Sequence, residues 1–145
     1  MWKCKRLTEL SAMELYQIYK ARVEVFVVEQ VCPYSEVDED DLECLHIFKE
    51  QDGKVVAYAR LMTRADCFQI GRVLVVKECR KQGLARELVT ETIRKAREMN
   101  PKFPVYAQAE AYLIEFYQSF GFEVTSEIYS KDDQPHIDME LPRSC

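Results

Sequence analysis

In Arg80-Lys81-Gln82-Gly83-Leu84-Ala85, two cations and a glycine stand where the apolar run Val73-Leu74-Val75-Val76 gives way to a helical pattern. The first turn of a helix leaves backbone N–H groups unpaired and adds the positive end of the helix dipole, so such a junction suits phosphate oxygens. Gly83 lets an anion approach the backbone closely, and the Arg80 guanidinium can pair with phosphate in a fork. A Walker loop would need Gly-Lys-Ser/Thr and a dinucleotide loop G-x-G-x-x-G; the sequence has neither. Charge is also segregated. Glu29, Glu36, Asp38, Glu39, Asp40, Asp41 and Glu43 follow one another without a Lys or Arg, whereas Arg72, Lys77, Arg80, Lys81 and Arg86 face only Glu78. The two segments read as solvated faces, or as places for a cationic substrate and an anionic cofactor. The acidic one could equally pair with the protein's own arginines.

Other chemistries find little support in the residues. Cys4, Cys32, Cys44, Cys67, Cys79 and Cys145 form no C-x-x-C pair and no short His/Cys cluster, so a metal site and a redox pair are not expected and free thiols are. A net charge of −5 and a pI near 5.2 offer no basic face for nucleic acid. The first thirty residues lack a secretory pattern, and no apolar stretch is long enough to span a bilayer, so a cytoplasmic location is expected. At 145 residues and 48% hydrophobic content, residues 1–145 are expected to build a single domain around a sizeable core.

The elements that must position the loop are legible from patterning. Trp2-Lys3-Cys4-Lys5 alternates as a first strand, and Ser11-Ala12-Met13-Glu14 is a capping box opening a helix to about Val28, with Leu15, Ile18, Tyr19 and Phe26 on its buried face. Pro33 bars further helix, and an irregular acidic loop to Glu43 is expected. Cys44–Glu50 and Lys54–Met62 form a hairpin about Asp52-Gly53, and Cys67–Val76 is a third long strand whose end is covered on both faces. Leu84, Ala85, Leu88, Val89, Thr92, Ile93 and Ala96 mark a helix of about four turns with Glu91 and Lys95 as an outward pair. A strand over Pro104–Ala109, a helix over Ala111–Phe120 ended by Gly121, and a last hairpin of Phe122–Ile128 with His136–Leu141 complete the order. Gly71, inside a strand, predicts a bulge or a close backbone approach. The expected fold is α/β, a mixed sheet of about seven strands with helices on both faces.

With this context the loop resembles the acetyl-CoA signature R/Q-x-x-G-x-G/A of the GNAT superfamily of N-acetyltransferases, and Phe116-Tyr117-Gln118-Ser119-Phe120-Gly121-Phe122 resembles that family's second signature. Val25-Phe26-Val27-Val28-Glu29-Gln30, Cys32-Pro33-Tyr34, Ile70-Gly71-Arg72-Val73, Ala107-Gln108-Ala109 and Pro135-His136-Ile137-Asp138-Met139 are similar to its ElaA-type branch. The resemblance implies a three-layer sandwich and transfer of acetyl from acetyl-CoA, as cosubstrate, to a primary amine within a ternary complex. Val73, Leu74 and Val75 would meet the pantetheine arm through their backbone, Arg80, Lys81, Gln82, Gly83, Leu84 and Ala85 would hold the pyrophosphate, and strand N–H groups would hold the oxyanion. Tyr117 would protonate the departing thiolate, a phenol of pKa about 10 serving a thiol of about 8.5. Where many relatives carry a glutamate base on the fourth strand, this chain has Arg72; where many have an asparagine before the second-signature helix, Glu110 stands nearby. Glu29, Tyr34, Glu36 and His46 are candidates to take the amine's proton or relay it, His46 having the best-matched intrinsic pKa of about 6.5. Tyr34, Glu36, Arg72 and His136 would meet the acceptor. Apart from the resemblance, a small α/β domain with an exposed sheet edge often pairs with itself, which would make a homodimer. Two other readings of the loop are an acetyl-CoA-binding sensor or interaction module with little or no turnover, and a nucleotide-binding protein.

Overall fold

The computed structural model describes residues 1–143, so Cys145 lies outside it. Strand β1 (Trp2–Lys5) leads through a 3-10 turn to α1 (Ala12–Arg22), whose Ser11 Oγ accepts from the Glu14 N–H while the Glu14 carboxylate accepts from the Ser11 N–H. Beyond Arg22 the helix widens into a π-helix over Val23–Glu29, and Val31, at φ 50°, turns the chain out of it. Short α2 (Asp40–Glu43) interrupts the acidic segment, which was expected to be irregular throughout. Then come β2 (Leu45–Gln51), β3 (Lys54–Thr63), β4 (Phe68–Val75), α3 (Leu84–Met99), β5 (Val105–Glu110), α4 (Ile114–Gln118), β6 (Glu123–Val124), β7 (Tyr129–Lys131) and β8 (Gln134–Leu141).

The strands form one mixed sheet of eight, in the order β1-β2-β3-β4-β5-β8-β6 with β7 also on β8. Only β4 and β5 run parallel. The count exceeds the expected seven because the strand read over Phe122–Ile128 is two. Ser126 Oγ takes the Asp138 N–H that a strand carbonyl would otherwise accept, so residues 125–128 bulge between β6 and β7. Asp52-Gly53 and Asp132-Asp133 both hold the left-handed φ values that tight hairpins need.

Helices cover both faces. Ile18, Ala21, Val25 and Phe26 pack on Phe48, Tyr58 and Leu74, while Leu84, Leu88, Val89 and Ala96 pack on Ile47, Ala57, Ala59 and Ile70. The expected face of α1 is partly corrected: Leu15 and Tyr19 are only half-buried, and Arg22, 0% exposed, shares the buried stripe. On α3 the outward pairing is also different. Arg94 bridges Glu91 and Glu98, and Lys95 reaches Glu98 at 3.5 Å rather than Glu91. Gly121, at φ 101°, closes α4 as a Schellman motif, its N–H on the Gln118 carbonyl and that of Phe122 on Tyr117.

The decisive irregularity lies in β4. Tyr58 pairs with Leu74 but Arg60 pairs with Gly71, so β4 carries one extra residue there, and Arg72 takes φ 50°. A Cβ on Gly71 would lie 3.1 Å from the Met62 methyl, which accounts for the glycine. Parallel pairing with β5 stops at Ile70↔Ala107, although β4 continues to Val75 and β5 to Glu110. The two strands part at the bulge.

Candidate active site

The parting of β4 and β5 opens a cavity of about 330 Å³ walled by Val73, Leu74 and Val75 on one side and Leu113, Phe116 and Tyr117 on the other. Arg80 and Ala85 stand at its loop end. Gly83, at φ 81°, is the N-cap of α3, no side chain caps that end, and a Cβ there would meet nothing within 4 Å. The first-turn N–H groups and the helix dipole are therefore free to meet an anion, as the sequence pattern predicts. Lys81, at φ 65°, Gln82 and Gly83 are exposed and line no cavity wall. Arg80 is held twice: its Nε donates to the Val75 carbonyl at 2.9 Å, and its two terminal nitrogens grip Glu29 at 2.6 and 2.9 Å. Glu29 thus sits at the loop end as the counter-ion of Arg80, which holds its carboxyl below the usual range.

A second cavity, also about 330 Å³, lies on the α1 side of the sheet. Ala107, Ala109, Ile137 and Met139 belong to the core under α3, so strand alternation turns Gln108, Glu110 and His136 toward this cavity. Glu110 and His136 face each other across β5 and β8. Tyr34, Arg72 and Lys131 are further lining residues. The two cavities share Phe26, Gln30, Val73, Glu110, Leu113 and Tyr117. Of these six, only Tyr117 and Glu110 can exchange a proton. Tyr117 is 5% exposed; burial first, then the nearby Glu110 carboxylate and Tyr112 phenol, raise its pKa and keep it protonated.

The acidic segment is spent on the protein's own arginines. Arg22 donates to Glu36 at 2.6 Å and to Asp41 at 2.6 Å; Arg60 grips Asp38 at 2.7 and 3.1 Å and reaches Asp41 at 3.1 Å. Arg72 donates to Glu36 at 3.1 Å and lies over the Tyr34 ring, whose hydroxyl donates to the other Glu36 oxygen. Glu36, expected to meet the acceptor, is instead a buried hub for two guanidiniums and a phenol and lines neither cavity. His46 is likewise elsewhere. It is 0% exposed, its Nδ1 2.6 Å from the Tyr58 hydroxyl and its Nε2 3.0 Å from the Asp41 carbonyl, and burial holds its pKa down. The structure brings Tyr34, Arg72, His136 and Tyr117 to one cavity and leaves Glu29, Glu36 and His46 outside it.

Asp41, Cys44 and His46 have potential metal-ligating atoms within 4.8 Å of one another. Asp41 already receives Arg22 and Arg60, and two guanidiniums beside it oppose a bound cation. Glu110, Gln108 and Lys131 were not singled out from sequence as site residues, though Glu110 was marked as a departure. Arg22 could have been noticed as a cation on the same helical stripe as Ile18 and Phe26.

A bulged strand thus parts from its parallel neighbour and leads to an uncapped helix N-terminus. The model of the acetyltransferase (GNAT) domain matches residues 13–142, and the chain belongs to that family. Within it the chain falls in the ElaA-type branch: it is 40% identical over 143 residues to protein ElaA of Escherichia coli K12, covering 95% of this chain and 94% of the relative. The crystal structure of E. coli ElaA superposes with a TM-score of 0.92 at 39% identity, covering 97% of this chain and 98% of that one. An acyl-CoA N-acyltransferase from Pseudomonas aeruginosa gives 0.93 at 39% identity, covering 97% of each chain.

Proposed function

We propose that the protein transfers an acetyl group from acetyl-CoA to a primary amine by direct attack, with the thioester in the cavity between β4 and β5 and the amine in the polar cavity on the α1 side. The observation that carries this reading is the junction of the two cavities, where Tyr117 and Glu110 are the two groups able to move protons. The thioester supplies an activated carbonyl and a thiolate leaving group. This chain's residues fit such a donor: Val73 to Val75 make no ladder bond to β5, the Val75 carbonyl being held by Arg80, and the start of α3 is uncapped.

A lysine-like amine, of pKa about 10.4, must first release its ammonium proton to solvent, because only the neutral amine has the lone pair that attacks the thioester. That nitrogen grows more acidic as it bonds to the carbonyl, and the Glu110 carboxylate at the junction takes the proton. Tyr117 gives its phenolic proton to the departing sulfur. Burial keeps that phenol neutral until charge develops on the thiolate, so it acts as donor at the moment of cleavage. Glu110 thereby supplies the carboxylate that the fourth strand lacks at Arg72.

The test is CoA release with a panel of primary amines on the wild type, Tyr117→Phe and Glu110→Gln. Each variant is expected to lower kcat about 10²- to 10⁴-fold with acetyl-CoA affinity retained. Acetyl-CoA binding without turnover on any amine would instead identify a sensor. Unchanged kcat in either variant would remove that residue from the chemistry.

A further inference from the structure

Most charges facing the acceptor cavity are paired within the protein. In the buried network Arg22, Arg60 and Arg72 stand against Glu36, Asp38 and Asp41, three cations against three carboxylates, and at the rim Arg64 grips Asp40 at 2.9 Å. Lys131 is outside that balance. It lines the cavity, makes no ion pair among the described residues, and its Nζ donates at 2.5 Å to the neutral Gln108 Oε1. Burial first, then the Arg72 guanidinium and more weakly Arg60, lower its pKa, against smaller opposing effects of Asp132 and Asp138. A half-buried ammonium held by an amide beside a guanidinium is unfavourable by itself, and an anion between them relieves it.

Gln108, which anchors Lys131, and Glu110 lie two residues apart on the same face of β5, about 6.6 Å along the strand. One end of that span presents cationic groups and the other a carboxylate. An acceptor that carries a carboxylate close to its amine is complementary to that order of charges along the cavity wall.

We infer that the acceptor is a small amino acid, its carboxylate held by Lys131 and Arg72 and its amine delivered to Glu110 and Tyr117. The inference rests on the acyl-transfer reading and deepens it. It excludes polyamines as preferred acceptors, because their distal cation would meet Lys131 and Arg72. The acidity of residues 29–43, which could have signified a cationic acceptor, is the wrong guide here since those carboxylates near the cavity are already paired.

The experiment uses the full chain, a set of L-amino acids and, for each, the amine lacking the carboxylate. CoA release is followed for the wild type, Lys131→Met and Lys131→Arg, with acetyl-CoA affinity as the check on folding. The wild type is expected to favour the amino acid of its best pair at least about 10-fold in kcat/KM, the order of one charge-assisted hydrogen bond. Lys131→Met brings that ratio close to one, mostly through KM, and Lys131→Arg restores part of it. A wild-type preference for the decarboxylated amines or for spermidine overturns the inference, as does a ratio unchanged in Lys131→Met. Should no amine turn over, the acyl-transfer reading fails separately. Calorimetric titration of the same pairs into the CoA complex then decides the site: amino-acid binding lost in Lys131→Met upholds it, and no binding overturns it.

Discussion

On the loop side of the β4 bulge the walls are Val73, Leu74, Val75, Phe116 and backbone; on the α1 side they rest on Arg22, Arg60 and Arg72 locked to Glu36, Asp38 and Asp41. The difference teaches how one strand irregularity serves two partners. On the proposed reading, the donor would meet main chain and apolar surface, which side-chain substitution changes little. The acceptor side needs a shaped polar wall on a loop that has no strand to hold it, and buried ion pairs supply that hold. They bring little net stability of their own, because desolvating the charges opposes their attraction, but they fix geometry once formed.

Breaking the acceptor side should therefore cost most. Arg22→Met leaves Glu36 and Asp41 buried short of a cation and is expected to lower stability by about 3–5 kcal/mol, read from the urea midpoint. A loss below about 1 kcal/mol would mean that the network is dispensable and the contrast misdrawn. On the donor side Gly83→Ala should cost only about 1–2 kcal/mol, because its left-handed φ of 81° is the sole obstacle and its Cβ meets no atom. Gly83→Asn, better suited to that φ, should regain stability while donor affinity stays weakened, which separates the backbone requirement from the close approach of an anion.

The smallest effect is one of pH. His46 has its pKa lowered from 6.5 in the fold, so the unfolded chain binds a proton that the native state refuses. Stability should begin to fall as pH drops below about 6.5. It should fall more steeply below about 4.5, where carboxylates held down in the fold must protonate. Among these is Glu14, which burial pushes up but the Ser11 N–H, Lys3 and Lys5 together bring down to about 2. In His46→Gln the gentle slope between pH 6.5 and 5 should vanish in thermal melts while the steep one remains.

The elements around the Gly83 loop were readable from the sequence because their signals are local. Gly83 after an apolar strand, the Ser11 capping box, Asp52-Gly53 and the Gly121 terminator each act within a few residues. The acceptor side was not, because its partners are distant. Nothing adjacent to Glu36 tells that Arg22 and Arg72, 14 and 36 positions away, will consume it. His46 carried a suitable intrinsic pKa, yet its location depended on the strand register that turned it under α2 rather than into a cavity. Glu110 looked like a departure from a pattern until the parting of β4 and β5 put it beside Tyr117.

One contact has a bearing on the cell's ionic conditions. Glu29 already sits in the fork of Arg80, so on the proposed reading a pyrophosphate arriving at that guanidinium would displace an internal anion instead of neutralising a bare cation. Donor binding then works as ion exchange: it is weaker than the loop alone would allow, and it responds less steeply to salt because little net charge is newly paired.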